Sequence, residues 1–407
     1  MNISYLFVQR IARNSMNAHE AKPERRYIRM IIRDFPVELT LQYPLDIKYD
    51  LEKTVFFDIE TTGFAAESTY LYLIGCICYK AGTFRMLQWF SEDLTEEKQI
   101  ISLFFEFLKD YEVFVHYNGS GFDIPYLQKK VELHRLSYSF DALTSIDLYK
   151  MIAPIKKLFR LPNYKQKSIE IFLSVDREDT SDGGDLIQVY QGYLGKKKIE
   201  KLRSVRNAPK VPSVPSEADE LLRTLLLHNE DDLKGLVQIL PILYYSDLFH
   251  KPFRILQAGI TGDKLTIRME LSFPLPVQVS FGNDLFYFNA HEKAALLTVL
   301  VYEGELKFFY DNYKDYYYLP EEDTAVHKSV ALFVDKEFRQ KAKPSNCYTR
   351  KQGVFAPLYA PILSPAFKQT YQDKMSFIEI HTDFLLQEKN LELYADHVLQ
   401  HMISGKS

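Results

Sequence analysis

From residue 53 onward, apolar positions follow two alternating periods. Residues 55–60, 70–79 and 84–90 are short apolar runs rich in β-branched and aromatic side chains, which predicts three strands in succession. Residues 95–110 instead place Ile100, Leu103, Phe104, Phe107 and Leu108 on one helical stripe. A short strand at 112–116 and a helix at 123–134 come next. Strands followed by helix–strand–helix units predict an α/β domain, with a mixed sheet flanked by helices. A break rich in Pro and Ser at 209–216 leads into a long helix at 217–240. Ser216 and Asp219 make a capping box at its start, and Pro241 ends it. One further strand is expected at 27–32.

Beyond residue 250 the pattern changes. Residues 265–271, 277–281, 285–288, 296–302, 305–310 and 316–319 are strand-like, with Gly, Asn or Asp between most of them. Residues 325–334 and 390–402 have helical spacing. The chain thus divides into an N-terminal extension (1–50), an α/β domain (51–247) and a smaller β-rich α+β domain (248–407) of unassigned role.

Composition narrows the function classes. Lys and Arg number 50 against 54 Asp and Glu, a net charge of −4, which excludes a chain built wholly as a basic nucleic-acid coat. Basic residues do gather locally. Lys22, Arg25 and Arg26 lie in the extension. Lys156, Lys157, Arg160, Lys165 and Lys167 form a second group, and Lys196, Lys197, Lys198, Lys201, Arg203 and Arg206 a third. Such flanking segments can track a nucleic-acid backbone or simply solvate a surface. The β-rich half mixes Tyr313, Tyr316, Tyr317, Tyr318 and Tyr348 with Lys314, Arg339, Lys341, Lys343, Arg350 and Lys351. That mixture can stack bases, but it reads first as an aromatic β core, since strands favour aromatic side chains. The cysteines are Cys76, Cys78 and Cys347, too few for a disulfide framework. The first two share one face of a strand, as core residues do. No stretch of about twenty apolar residues offers a membrane span, and a cytoplasmic location is expected.

Three elements carry chemistry. The first is Phe57-Asp58-Ile59-Glu60-Thr61-Thr62-Gly63. Side chains alternate along a strand, so Asp58 and Glu60 project together while Phe57 and Ile59 face the core. Two adjacent carboxylates at the end of an apolar strand repel each other unless a cation lies between them. The second runs from His116 through Asn118 and Phe122 to Asp123, a strand, a glycine turn and an acid opening a helix. Alone, that acid reads as a plain helix N-cap. The third is His228-Asn229-Glu230-Asp231-Asp232, where His228 and Asp232 are four apart and share a helical face beside an apolar stripe of Leu221, Leu225, Leu233 and Leu236. Alone, it reads as a solvated face.

In this order the elements resemble the DEDD superfamily of two-metal 3′–5′ exonucleases on the ribonuclease H-like fold. Residues 54–240 are most similar to the bacterial YprB-type ribonuclease H-like family. The matching pieces are Asp58-Ile59-Glu60-Thr61, residues 118–123, Ile146-Asp147-Leu148, Lys167-Ser168-Ile169-Glu170 with Leu173, Gly183-Gly184, and His228-Asn229 with Asp232. The resemblance implies that Asp58, Glu60, Asp123 and Asp232 bind two divalent cations, Mg²⁺ or Mn²⁺. It makes DNA or RNA the partner, as a single-stranded 3′ end. It also implies that Thr61 and Phe64, with Asn118 and Phe122, contact the substrate. Most relatives place Tyr four residues, or His five residues, before the last acid. Here His228 combines the Tyr spacing with the His identity, and is expected to direct the attacking water near neutral pH without a large shift. A structure-selective endonuclease, or a non-catalytic nucleic-acid-binding or scaffold module on the same fold, are the alternatives.

Overall fold

A computed structural model describes residues 30–179, 183–205, 215–250 and 252–404, with the side chains of 183 and 203–205 excepted. Lys22, Arg25, Arg26, Arg206, residues 209–214 of the expected break and the first part of the strand expected at 27–32 lie outside them. Two compact units divide the chain. One comprises residues up to Ala153 with Leu161–Leu243, and the other Pro154–Arg160 with Tyr244–Ser407.

The first unit is built on a six-stranded sheet: β1 (Met30–Val37), β2 (Thr54–Thr61), β3 (Leu71–Lys80), β4 (Thr83–Ser91), β5 (Val113–His116) and β6 (Thr144–Asp147). Their spatial order is β1-β4-β3-β2-β5-β6. The first four pair antiparallel, and β2–β5 and β5–β6 pair parallel, giving the expected mixed sheet. Strand β2 lies at the centre, where its hydrophobic residues find cover on both faces. On one face Val55, Phe57 and Ile59 pack under α1 (Glu97–Leu108) and α2 (Asp123–Leu133), and Cys76 and Cys78 join them as core residues. Helices α3 (Leu148–Ile152) and α4 (Gln166–Phe172) follow.

The other face is covered by α5 (Gly183–Val205) and α6 (Glu217–Gln238). Tyr72 and Phe90 from the sheet meet Tyr190 and Tyr193 from α5, and Tyr72 stacks on Tyr190 with ring centroids 4.0 Å apart. The 23-residue α5 carries Lys196, Lys197, Lys198, Lys201 and Arg203 of the third basic group. The capping box of Ser216 and Asp219 forms as predicted. Pro241 ends regular helix in α6, but the chain stays helical through a turn at Leu240–Ile242 and then α7 (Leu243–Asp247). Proline disrupts the hydrogen bond back into the preceding turn yet suits the first turn of a new segment.

In the second unit, expected breaks are bridged. Residues 265–271 and 277–281 belong to one strand, β8 (Lys264–Gly282), between β7 (Phe253–Thr261) and β9 (Phe286–Leu300). Pro274 and Pro276 cannot donate to a ladder, and the β8–β9 register shifts around them without ending the strand. A four-stranded sheet pairs β10 (Tyr302–Phe309), β14 (Tyr348–Leu358), β16 (Ser376–Glu379) and β15 (Ala366–Phe367). Another pairs β12 (Thr324–His327), β11 (Tyr316–Leu319) and β13 (Gln340–Lys341). The helix expected at 325–334 is replaced by β12 and a single helical turn, α8 (Lys328–Ala331), because Thr324 to His327 complete a ladder with β11. After α9 (Thr382–Leu386), the C-terminal helix expected at 390–402 is α10 (Glu388–Ser404). Several tyrosines here serve packing: Tyr310, Tyr313 and Tyr316 cover a small core of Ala325, Ala342 and Cys347.

Helix α6 approaches the sheet closely because β3 carries a glycine below it. A Cβ on Gly75 would run into the side chains of Asn229 and Leu233. Gly75→Ala is therefore expected to destabilise the protein by about 1–3 kcal/mol, the usual range for overpacking. Gly195→Ala, at an exposed position of α5 with open space around it, should instead stabilise by about 0.5–1 kcal/mol. Denaturant unfolding of both variants distinguishes the two; equal midpoints would contradict the close approach.

Candidate active site

The two acids of β2 lie on the face covered by α6, opposite Phe57 and Ile59. Asp58 pairs with Gly75 across β3, and the β2–β3 register shifts just after Glu60, where the strand ends. Asn229 is completely buried and donates to Asp58 Oδ2 at 3.0 Å. Its own oxygen accepts from Gln88 Nε2 at 3.0 Å, and Gln88 in turn accepts from Arg33 at 2.7 Å. The helix is thereby tied to the sheet at the height of Asp58.

Asp123 is the first residue of α2, but it is not a simple cap. Phe122 occupies the cap position, and Asp123 Oδ1 instead accepts from the backbone N–H of Ile59, at 3.3 Å. The turn before it is shaped by Asp147, which accepts from the N–H groups of Asn118 and Ser120 at 2.9 and 3.3 Å. Asn118 itself has φ of 58° and an exposed side chain. His116 beneath the turn accepts from Gly119 N–H and meets Ser145 Oγ at 2.8 Å. Burial holds it down to about 4 despite Asp147 nearby, so it is neutral and structural.

All five residues 228–232 of α6 are engaged. The nearly buried His228 has Nδ1 2.6 Å from Asp179 Oδ2, while Nε2 lies 3.2 Å from Asp232 Oδ2 and 3.7 Å from Glu60 Oε1. Glu230 pairs with Arg33 and Lys234, at 3.4 and 2.7 Å. Asp231 accepts from the backbone N–H groups of Glu178 and Asp179, at 2.9 and 2.7 Å. Asp232 accepts from Arg177 at 2.7 Å, and Arg177 also holds both oxygens of Glu170. Gly235 leaves the room that Glu170 fills, since a Cβ there would strike its carboxylate.

Thus Asp58, Glu60, Asp123, His228 and Asp232 gather at the end of β2. Arg177 and Asp179 were not singled out from the sequence. The signal available was a lone Arg within the acidic run Asp176-Arg177-Glu178-Asp179, between the matching pieces at 173 and 183. Beside the acids, Phe64 is 83% exposed, with its ring edge-on to Phe122 at 5.8 Å. Thr61 donates its hydroxyl to Gly63 O at 2.8 Å. The third basic group is partly committed elsewhere: Lys196 pairs with Glu217, and Lys197 with Glu92 at 3.4 Å.

The electrostatics is that of concentrated buried negative charge. Burial, and then Glu60, Asp123 and Asp232, push Asp58 well above the carboxylate range, against the Asn229 hydrogen bond. Burial likewise pushes Glu60 up to about 8, although His228 opposes it, and Asp123 up to about 7. Asp232 is the exception: burial raises it, but His228 and Arg177 outweigh that and hold it below its ordinary value. For His228, burial lowers and the surrounding carboxylates raise, with a net rise to about 9. Three carboxylates, of Glu60, Asp179 and Asp232, surround the imidazole and are the cause of its rise, so the expectation of a small shift does not hold for these neighbours.

This donor set fits divalent cations. Carboxylate oxygens of Glu60 and Asp232 lie within 4.8 Å of each other and of His228 Nε2, the group of this kind among the described residues, and the carboxylates are its hard donors. Asp58 and Asp123 adjoin it with charge that the protein leaves poorly compensated. Hard carboxylate oxygens suit Mg²⁺ or Mn²⁺, and such a cation would relieve the repulsion.

The shifts have a sign that solution experiments can read. Folded, metal-free protein keeps protons on Asp123, Glu60 and His228 up to about 7, 8 and 9. The unfolded chain releases them near about 4 for the acids and about 6.5 for the imidazole. Between those limits the folded state binds more protons, so stability falls as pH rises. The depressed Asp232 acts the other way, but only as pH drops through the acid range. The Tm of metal-free protein should accordingly decline from pH 5 to pH 9, and added Mn²⁺ should raise Tm more at pH 9 than at pH 5. A metal-induced shift independent of pH would contradict this account.

Among curated proteins, none matches the chain. Among solved structures, the chain is similar to a family B DNA polymerase from the hyperthermophilic archaeon Pyrobaculum calidifontis. The identity is 13% and the TM-score 0.30, over 64% of this chain and 35% of that chain. The chain thus spans about a third of that polymerase's length, and a likeness of this degree decides nothing about chemistry. No helix among the described residues is long and apolar enough to cross a membrane. Residues 55–244, which hold every acid described above, match the family model RNase_H_2 of the RNase H superfamily, and the domain carries a ribonuclease H-like fold.

Proposed function

We propose that residues 51–247 form a two-metal-dependent nuclease domain of the YprB type, which removes nucleotides from the 3′ end of single-stranded DNA or RNA. The observation that carries this reading is the convergence of Asp58, Glu60, Asp123 and Asp232 around His228 at the end of the central strand of a ribonuclease H-like fold. Mg²⁺ or Mn²⁺ bound by these carboxylates would lower the pKa of a water and stabilise the charge on the departing 3′ oxygen. His228 Nε2, turned toward Glu60 and Asp232, takes the proton of the attacking water once the imidazole is neutral. Phe64 and Phe122 offer aromatic faces to the terminal base, with Thr61 and Asn118 beside them as polar contacts. The free, buried cysteines suit a cytoplasmic setting.

Incubation of the full-length protein with 3′- and 5′-labelled DNA and RNA, with Mg²⁺, Mn²⁺ or EDTA, tests polarity and substrate together. A stepwise ladder from the 3′ end is expected with metal, and none with EDTA. Asp58→Asn and Asp232→Asn should each lower the rate by orders of magnitude. Undiminished cleavage in EDTA, or by both variants, would remove the metal-dependent reading.

His228→Ala should lower kcat by about 10²–10⁴-fold with little change in KM, the range for a positioned general base. Single-turnover cleavage at saturating metal is the measurement. A rate within a few-fold of wild type would reduce His228 to a packing residue.

A further inference from the structure

The geometry points to Asp179 as the residue that orients His228 for proton transfer, an inference that rests on the nuclease reading above. Its Oδ2 lies 2.6 Å from His228 Nδ1, and both side chains are 4% exposed. A carboxylate has only acceptors to offer, so Nδ1 carries the hydrogen of this bond. A neutral ring then has its lone pair on Nε2, the atom that faces Glu60 and Asp232. A ring turned over by 180° would present carbon to Asp179 and lose the bond. Asp179 thus sets both the tautomer and the direction of the base, as an acceptor behind a histidine does in other hydrolytic sites.

Asp179 is itself held in place. The backbone N–H groups of Glu178 and Asp179 donate to Asp231, one helical position before the last acid. Arg177 and Lys167 flank the same Asp179 oxygen at 3.5 and 3.6 Å, distances at which they neutralise charge rather than compete with the shorter bond. Residues 174–179 are thereby laid over α6, so that a residue 49 positions from His228 in sequence backs its ring. Asp179 touches no reacting atom in this scheme and is a positioning residue.

The test uses full-length protein carrying Asp179→Asn, His228→Ala and both together. An asparagine can turn its amide nitrogen toward Nδ1 and favour the wrong tautomer, at nearly unchanged volume. We expect kcat on a 3′-labelled oligonucleotide to fall by about 10²–10⁴-fold. KM should stay within about threefold of wild type, and Mn²⁺ binding followed by calorimetry should be unchanged. In the His228→Ala background the same substitution should cost less than about threefold further, because it acts through a ring that is no longer there. Proton NMR of the metal-free protein should show a far-downfield Nδ1–H resonance that both single variants lack.

A kcat within about threefold of wild type overturns the proposal, as does an undiminished loss in the His228→Ala background or the absence of that resonance from the wild type. If Asp179→Asn fails to fold, Asp179→Glu keeps the charge beside Arg177 and Lys167 but displaces the oxygens. It must show the kcat loss and the same dependence on His228, and a wild-type kcat overturns the proposal. Wild-type protein that cleaves neither DNA nor RNA fails differently: it overturns the nuclease reading, and the role of Asp179 with it.

Discussion

The long helix of the first unit rests on the central sheet through a buried amide. Asn229 spans the gap between Gln88 on β4 and Asp58 on β2, and it fits only because Gly75 presents no side chain beneath it. A polar group this deeply buried is costly unless every bond is made. The helix is therefore held in one axial position, at which His228 and Asp232 meet Glu60. If the helix sat one turn away, about 5.4 Å along its axis, the same residues would face apolar strand. The geometry of the acid cluster thus depends on a contact outside the cluster.

The same seating explains why negative charge collects without disrupting the fold. Asp232 is balanced locally by Arg177 and His228, whereas Asp58, Glu60 and Asp123 receive only amide and backbone donors or a shared imidazole. Hydrophobic packing on the opposite face of β2, around Phe57, Phe104 and Phe114, supplies the stability that such a site needs. The balance is uneven by construction. Charge is compensated at the helix and left open at the strand.

Much of this was legible in the sequence because it follows from local period. The alternation of Asp58 and Glu60 with Phe57 and Ile59 fixes their faces, and the four-residue spacing of His228 and Asp232 fixes theirs. Asp123 could not be told from a cap, since only its bond to the Ile59 backbone separates the two roles, and that bond spans 64 residues. Arg177 and Asp179 were missed for a related reason. They lie outside regular structure, where no period marks them, and their partners are on a helix some fifty residues away. In the β-rich half, residues 265–271 and 277–281 read as separate strands, while pairing with β9 carries one strand across Pro274 and Pro276. The β12 ladder likewise overrode helical spacing at 325–334.

One consequence follows from residues 228–232 taken together. Successive helical residues are set about 100° apart, so five of them sweep the full circumference of the helix. Three of them bond to the 174–179 segment, His228 to Asp179, Asp231 to the Glu178 and Asp179 N–H groups and Asp232 to Arg177, while Asn229 bonds to Asp58 and Gln88 and Glu230 to Arg33. Rotation or sliding of α6 would break several of these at once, so the helix behaves as a fixed axle. Any rearrangement at this site must come from the parts laid around it, and the 174–179 segment, which bears on both His228 and Asp232, is the piece whose displacement would alter both together.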